Sequence, residues 1–125
     1  MSSNTPNHVD LKNLWLAFKK QESFVLTLVG NFPRNFKYNI GNRLLDHCLD
    51  LVEGLSMLID DYNEATVSQV KHHYRCFMHL IMLCQENHLI SVKALAQLVL
   101  NHKEIKETFI GKSLPSELMQ GLDLL

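Results

Sequence analysis

Residues that force turns or cross-link a chain are scarce here. Among 125 residues there are 5 glycines, 3 prolines and 3 cysteines, so the backbone has few places to bend and regular elements have room to run long. Alternating runs of Val, Ile and Thr are nearly absent, which argues against strands and predicts an all-α fold. The three cysteines, an odd number without paired spacing and with no signal-peptide pattern ahead of them, read as reduced thiols in a cytoplasmic protein. No apolar stretch approaches the roughly 18 residues that span a bilayer, so no membrane partner is expected. There is also no Gly-rich phosphate loop, no nucleophile elbow, no Cys-x-x-Cys and no nucleophile beside a base. An enzyme is therefore the weakest reading, and neither cofactor nor metal is expected.

What is present is length, apolar content and an uneven distribution of charge. The chain is long enough for one domain, residues 1–125, that buries about two-thirds of its unfolded surface. Apolar residues make up 46% of it, and the formal net charge is only −1, whereas a dedicated nucleic-acid binder usually carries a basic surplus. Within that balance, residues 1–43 hold Lys12, Lys19, Lys20, Arg34, Lys37 and Arg43 against Asp10 and Glu22. Residues 44–64 hold Asp46, Asp50, Glu53, Asp60, Asp61 and Glu64 with no Lys or Arg. The two regions attract each other, within a chain or between copies.

Apolar periodicity predicts four helices, over about 10–31, 37–61, 64–87 and 91–110. The first places Leu11, Leu14, Phe18, Val25, Leu28 and Phe32 three or four residues apart, with Gln21 as a polar interruption and Asp10 as an N-cap. The second carries a seam of Leu44, Cys48, Leu51, Leu55, Leu58 and Tyr62, with Leu45, Leu49, Val52 and Ile59 making it apolar on a further side. That excess predicts two neighbours or a subunit interface. Gly54, which costs about 1 kcal/mol inside a helix, predicts close approach of another helix. The third places Val67, Val70, Tyr74, Phe77, Ile81, Cys84 and His88 on one stripe. The fourth opens on Ser91 as a cap and continues through Leu95, Leu98, His102, Ile105 and Phe109 to Gly111, which suits a C-cap position. Residues 1–8 are expected to fray. The tail 113–125 packs on the bundle, joins a partner or is disordered; the pattern does not choose.

Two surfaces stand out as candidate binding sites. The first is an elbow around Pro33, where the loop 31–43 brings Arg34, Lys37 and Arg43 together with Phe36, Tyr38 and Ile40. The second is Lys71-His72-His73-Tyr74-Arg75 on the third helix, whose charge rises as imidazoles protonate below about 6.5. Both suit a phosphate backbone, which is bound by cations without regard to base sequence. His72, Cys76 and His79 share a helical face with metal-ligand chemistry, but a zinc site normally takes a further ligand from another element. A solvated acidic face is the simpler reading of Asp46, His47, Asp50 and Glu53.

The order of Phe32-Pro33-Arg34, then Asn39-Ile-Gly-Asn-Arg-Leu44 opening a Leu-rich helix, a third long helix, and Leu89-Ile-Ser-Val92 opening a fourth, resembles a known family. It is similar to the four-helix-bundle accessory variability determinants of diversity-generating retroelements, relatives of the ribosomal-RNA intervening-sequence proteins. The resemblance covers roughly residues 11–112. The chain lacks the Ser-Ile-Pro-x-Asn-Ile-Ala-Glu-Gly-like segment of the intervening-sequence branch, and after Gly111 it lacks the Trp-containing segment that ends the retroelement proteins. The resemblance implies an antiparallel up-down four-helix bundle assembled into a cyclic homo-pentamer. It also implies a non-catalytic role in which a reverse transcriptase and an RNA or DNA backbone are the partners. The competing expectation is a structural homo-oligomeric scaffold that binds no nucleic acid.

Overall fold

Side-chain capping decides where the helices begin. The structure is a computed structural model that describes residues 7–122. The first six residues of the expected frayed terminus, and residues 123–125 of the tail, lie outside the described residues. Asn7 Oδ1 accepts from the amides of Val9 and Asp10 at 2.8 and 3.4 Å, so α1 (His8–Gly30) starts ahead of Asp10. Asn63 Oδ1 does the same for Ala65 and Thr66 at the head of α4 (Glu64–Glu86). Ser91 Oγ accepts from Ala94 N at 3.0 Å and opens α5 (Val92–Phe109), as its position predicts. These side chains satisfy amides that a helix N-terminus leaves without partners.

The elbow around Pro33 differs most from expectation. The chain re-enters helical geometry at Arg34, three residues ahead of the expected start at about Lys37, as α2 (Arg34–Phe36) followed by a wide π turn over Lys37–Gly41 and then α3 (Asn42–Asp60). Pro33 is the N-cap, and its carbonyl accepts from Phe36 N and Lys37 N, both at 2.9 Å. Proline has no N–H to waste there, so it stops α1 and starts the next helix within four residues. Gly41 belongs to the π turn, and a Cβ on it would lie 2.8 Å from Val29 Cγ1. The absent side chain lets the turn sit directly on α1.

The C-terminus of α4 is closed by His88, whose φ of 59° is left-handed. Leu89 N donates to Cys84 O at 2.9 Å and His88 N to Gln85 O at 3.0 Å, the bond pair of a Schellman motif with histidine where glycine is usual. Gly111, φ 79°, follows α5, and a last helix, α6 (Ser116–Leu122), turns back onto α4.

The described residues contain helices and no strand, and they pack as a helical bundle. Leu44, Cys48, Leu51, Leu55 and Leu58 of α3 face Val67, Val70, Tyr74, Phe77, Ile81 and Cys84 of α4, and all are buried with Leu14, Phe18, Val25 and Val29 of α1. α4 packs directly on Gly54 of α3: a Cβ there would stand 2.6 Å from Val70 Cγ2. α5 lies against α1 and touches α4 less. It contributes Leu98, His102, Ile105 and Phe109 to the core. Each fully buried apolar side chain stabilises the fold by about 1.5–3 kcal/mol relative to exposure.

Candidate nucleic-acid interface

The seven cationic candidates occupy different faces. Arg34 is exposed at the first residue of α2, Lys37 is half-buried where the π turn begins, and Arg43 is exposed in the first turn of α3. On α4 the stretch from Lys71 to Arg75 divides. At about 100° per residue, Lys71 and His73 stand about 200° apart around the helix. Lys71 Nζ donates to Gln120 Oε1 of α6 at 3.2 Å. His73 turns the other way, to α3. His72 and Arg75 are exposed between them.

Among the described residues, two of these candidates, His72 and His73, group with a third imidazole, His47. His47 of α3 and His73 of α4 place their Nδ1 atoms 3.1 Å apart, with ring centres 5.3 Å apart. His72 joins them, its ring centre 5.5 Å from that of His73 and 6.4 Å from that of His47. Asp50 Oδ2 is 4.0 Å from His73 Nε2. Burial holds His47 below the usual histidine range; the positive fields of His73, Arg43 and His72 add to this, and Asp50 opposes them. Arg43 stands one helical turn before His47 on α3, and its field acts on that imidazole.

His47 stands outside the basic stretches, and only its register pointed to it. It precedes the core residue Cys48 as His73 precedes the core residue Tyr74, so each flanks the seam where α3 meets α4. Among the described residues, Arg34, Lys37, Arg43, Lys71 and Arg75 make no ion pair with a carboxylate. The expected pairing of the basic and acidic regions is therefore not made between these cations and the acidic flank of α3 within the chain.

The other candidate chemistry lies apart. His72 Nε2 is 3.6 Å from Cys76 Sγ, while His79 is exposed, and no group of three or more His, Cys, Asp or Glu among the described residues is arranged to hold a metal ion. Cys48 and Cys84 are buried, and burial pushes their thiols up to about 12 and about 11. His102 is only 3% exposed; it hydrogen-bonds the Tyr74 hydroxyl through Nδ1 and stacks on that ring, centres 5.5 Å apart. Burial, and then Cys48, raise the ionisation of Tyr74 far above its usual range, so its hydroxyl keeps its proton at neutral pH. α6 seats Leu118 in the core, and its Glu117 carboxylate accepts from Ser68 Oγ at 2.9 Å.

The described residues form a helical bundle whose α3–α4 seam gathers three histidines with Arg43 and Asp50. No helix among the described residues is long and apolar enough to cross a membrane. Comparison with models of known protein families, with curated proteins and with solved structures finds no match.

Proposed function

We propose that this chain is a non-catalytic accessory protein that binds a reverse transcriptase and the backbone of a template RNA, or its DNA copy, in a diversity-generating retroelement of the cytoplasm. One observation supports the nucleic-acid half: Arg43, His47, His72 and His73 gather at one seam, and the arginine is not paired with a carboxylate. Phosphates supply a negative partner for Arg43, beyond the Asp50 carboxylate that already faces His73, and they do so without sequence preference. With a net charge of −1, binding rests on this local concentration of charge. The polymerase half rests on the family resemblance.

In this reading α1, α3, α4 and α5 are the four helices of an up-down antiparallel bundle, and five copies close a ring. Exposed apolar residues on α1 and α3, among them Leu26 at 60%, Leu49 at 50% and Met57, are the surface available to neighbouring copies. The same residues favour the second reading, a homo-oligomeric scaffold that binds no nucleic acid.

The test is RNA affinity measured at several salt concentrations, together with oligomer mass, for the wild type and for Arg34→Ala, Lys37→Ala, Arg43→Ala combined. Each phosphate contact removed should reduce the salt slope by about one, equally for unrelated RNA sequences. Lys71→Ala should reduce it less, because α6 already holds that ammonium. An unchanged slope at unchanged mass removes these cations from the interface. A folded oligomer that ignores RNA even at low salt selects the scaffold.

A further inference from the structure

The seam between α1 and α5 is open where the seam between α1 and α3 is closed. A groove of about 460 Å³ runs along it, within the range of small-molecule sites. Gln21, which interrupts the apolar stripe of α1, lies at its floor and is only 4% exposed. A relay of carboxamides leads to it. Gln97 Nε2 donates to Asn101 Oδ1 at 2.8 Å, and Asn101 Nδ2 donates to Gln21 Oε1 at 2.9 Å.

The direction of that relay fixes what is left over. Gln21 Oε1 is spent on Asn101, so the free end is the donor Nε2, which has no partner among the described residues. No enclosed side-chain nitrogen or oxygen among the described residues lacks a partner, so this nitrogen opens into the groove. A nine-tenths-buried donor without a protein acceptor marks a place for an acceptor from outside. Around it stand the exposed charges of Lys20 and Glu104, and an apolar wall of Ala17, Ile105 and Phe109.

We infer that the α1–α5 groove binds a small zwitterion with an apolar side chain, an amino acid or a short peptide. The carboxylate takes the two hydrogens of Gln21 Nε2 and the charge of Lys20, the ammonium faces Glu104, and the apolar side chain lies on Ile105 and Phe109. This site is separate from the histidine seam and does not depend on RNA binding.

The full chain, labelled with ¹⁵N, is titrated with L-phenylalanine, with 3-phenylpropanoate, which lacks the ammonium, and with 2-phenylethylamine, which lacks the carboxylate. L-phenylalanine should shift amide signals of α1 and α5 saturably, and each analogue should bind at least about tenfold more weakly, because a lost charged partner leaves its counterpart unpaired. Gln21→Glu keeps the oxygen that Asn101 needs but replaces the donor with a second acceptor, and it should lower L-phenylalanine affinity about tenfold or more. Glu104→Gln, at an exposed position, should weaken L-phenylalanine and leave 3-phenylpropanoate unchanged. The inference is overturned if no saturable shift occurs in the millimolar range, if the three compounds bind alike, or if Glu104→Gln weakens L-phenylalanine and 3-phenylpropanoate equally.

Discussion

His47 and His73 approach to 3.1 Å between their Nδ1 atoms across the α3–α4 seam. At that distance one nitrogen donates to the other, and two imidazolium ions cannot both present a hydrogen there. The groups facing the pair are Arg43 and Asp50 from α3 and His72 from α4. Burial therefore favours the neutral form of His47, and Arg43 and the neighbouring imidazoles act in the same direction.

The consequence for stability has a definite sign. Because the folded chain depresses the pKa of His47, the unfolded chain binds more protons, and the stability this histidine contributes is present above about 6.5 and is lost as pH falls below it. Thermal midpoints measured from pH 7.5 to 5.5 should fall, and His47→Gln should flatten the fall. A slope unchanged in that variant would assign the acid sensitivity elsewhere.

His88 carries the left-handed conformation that closes α4, with φ 59°. An L side chain pays about 1–2 kcal/mol there and glycine does not, while glycine costs about 0.5–1 kcal/mol more in chain entropy. His88→Gly should therefore raise the stability in urea by up to about 1 kcal/mol, and His88→Ala should not.

At Gly54 the contact with Val70 leaves no room for a methyl group, since the added Cβ would lie 2.6 Å from Val70 Cγ2. Alanine gains about 1 kcal/mol of helix propensity, but overpacking against a stiff β-branched side chain costs about 1–3 kcal/mol. Gly54→Ala should be destabilising on balance. In a double-mutant cycle with Val70→Ala the two changes should be less than additive, because the clash disappears with the valine.

Thiol chemistry should separate the three cysteines. Cys48 and Cys84 are buried with thiols pushed up to about 12 and about 11, and thiolate is the reactive form. The native chain should take up one equivalent of a thiol reagent at Cys76 at pH 8, and the other two only after unfolding. Mass spectrometry of the modified peptides reads this directly.

Much of the bundle was legible in the linear pattern. Leu44, Cys48, Leu51, Leu55 and Leu58, and Val67 through Cys84, recur at steps of three and four residues and are buried, because helical geometry alone stacks those positions on one face. Gly54 as a point of close approach and Ser91 as a cap were equally local. At the elbow Pro33 signals both the end of one helix and the start of the next, and the pattern does not say how soon the second follows; it begins at Arg34, three residues ahead of the expected start. The candidate site was less legible. Lys71 to Arg75 looks like one patch when written as a line, yet Lys71 reaches α6 and His73 reaches α3.

Periodicity along one helix is set by bonds between near neighbours, so the all-helical class, most seam residues and the starts of α4 and α5 were determined by the sequence alone. Which side chains meet across helices depends on register, depth and rotation between elements far apart in the chain. Contacts such as Gly54 with Val70 set these. Only the tertiary structure could therefore bring His47 to His73, seat α6 on Lys71, and aim the unspent nitrogen of Gln21 into an open groove.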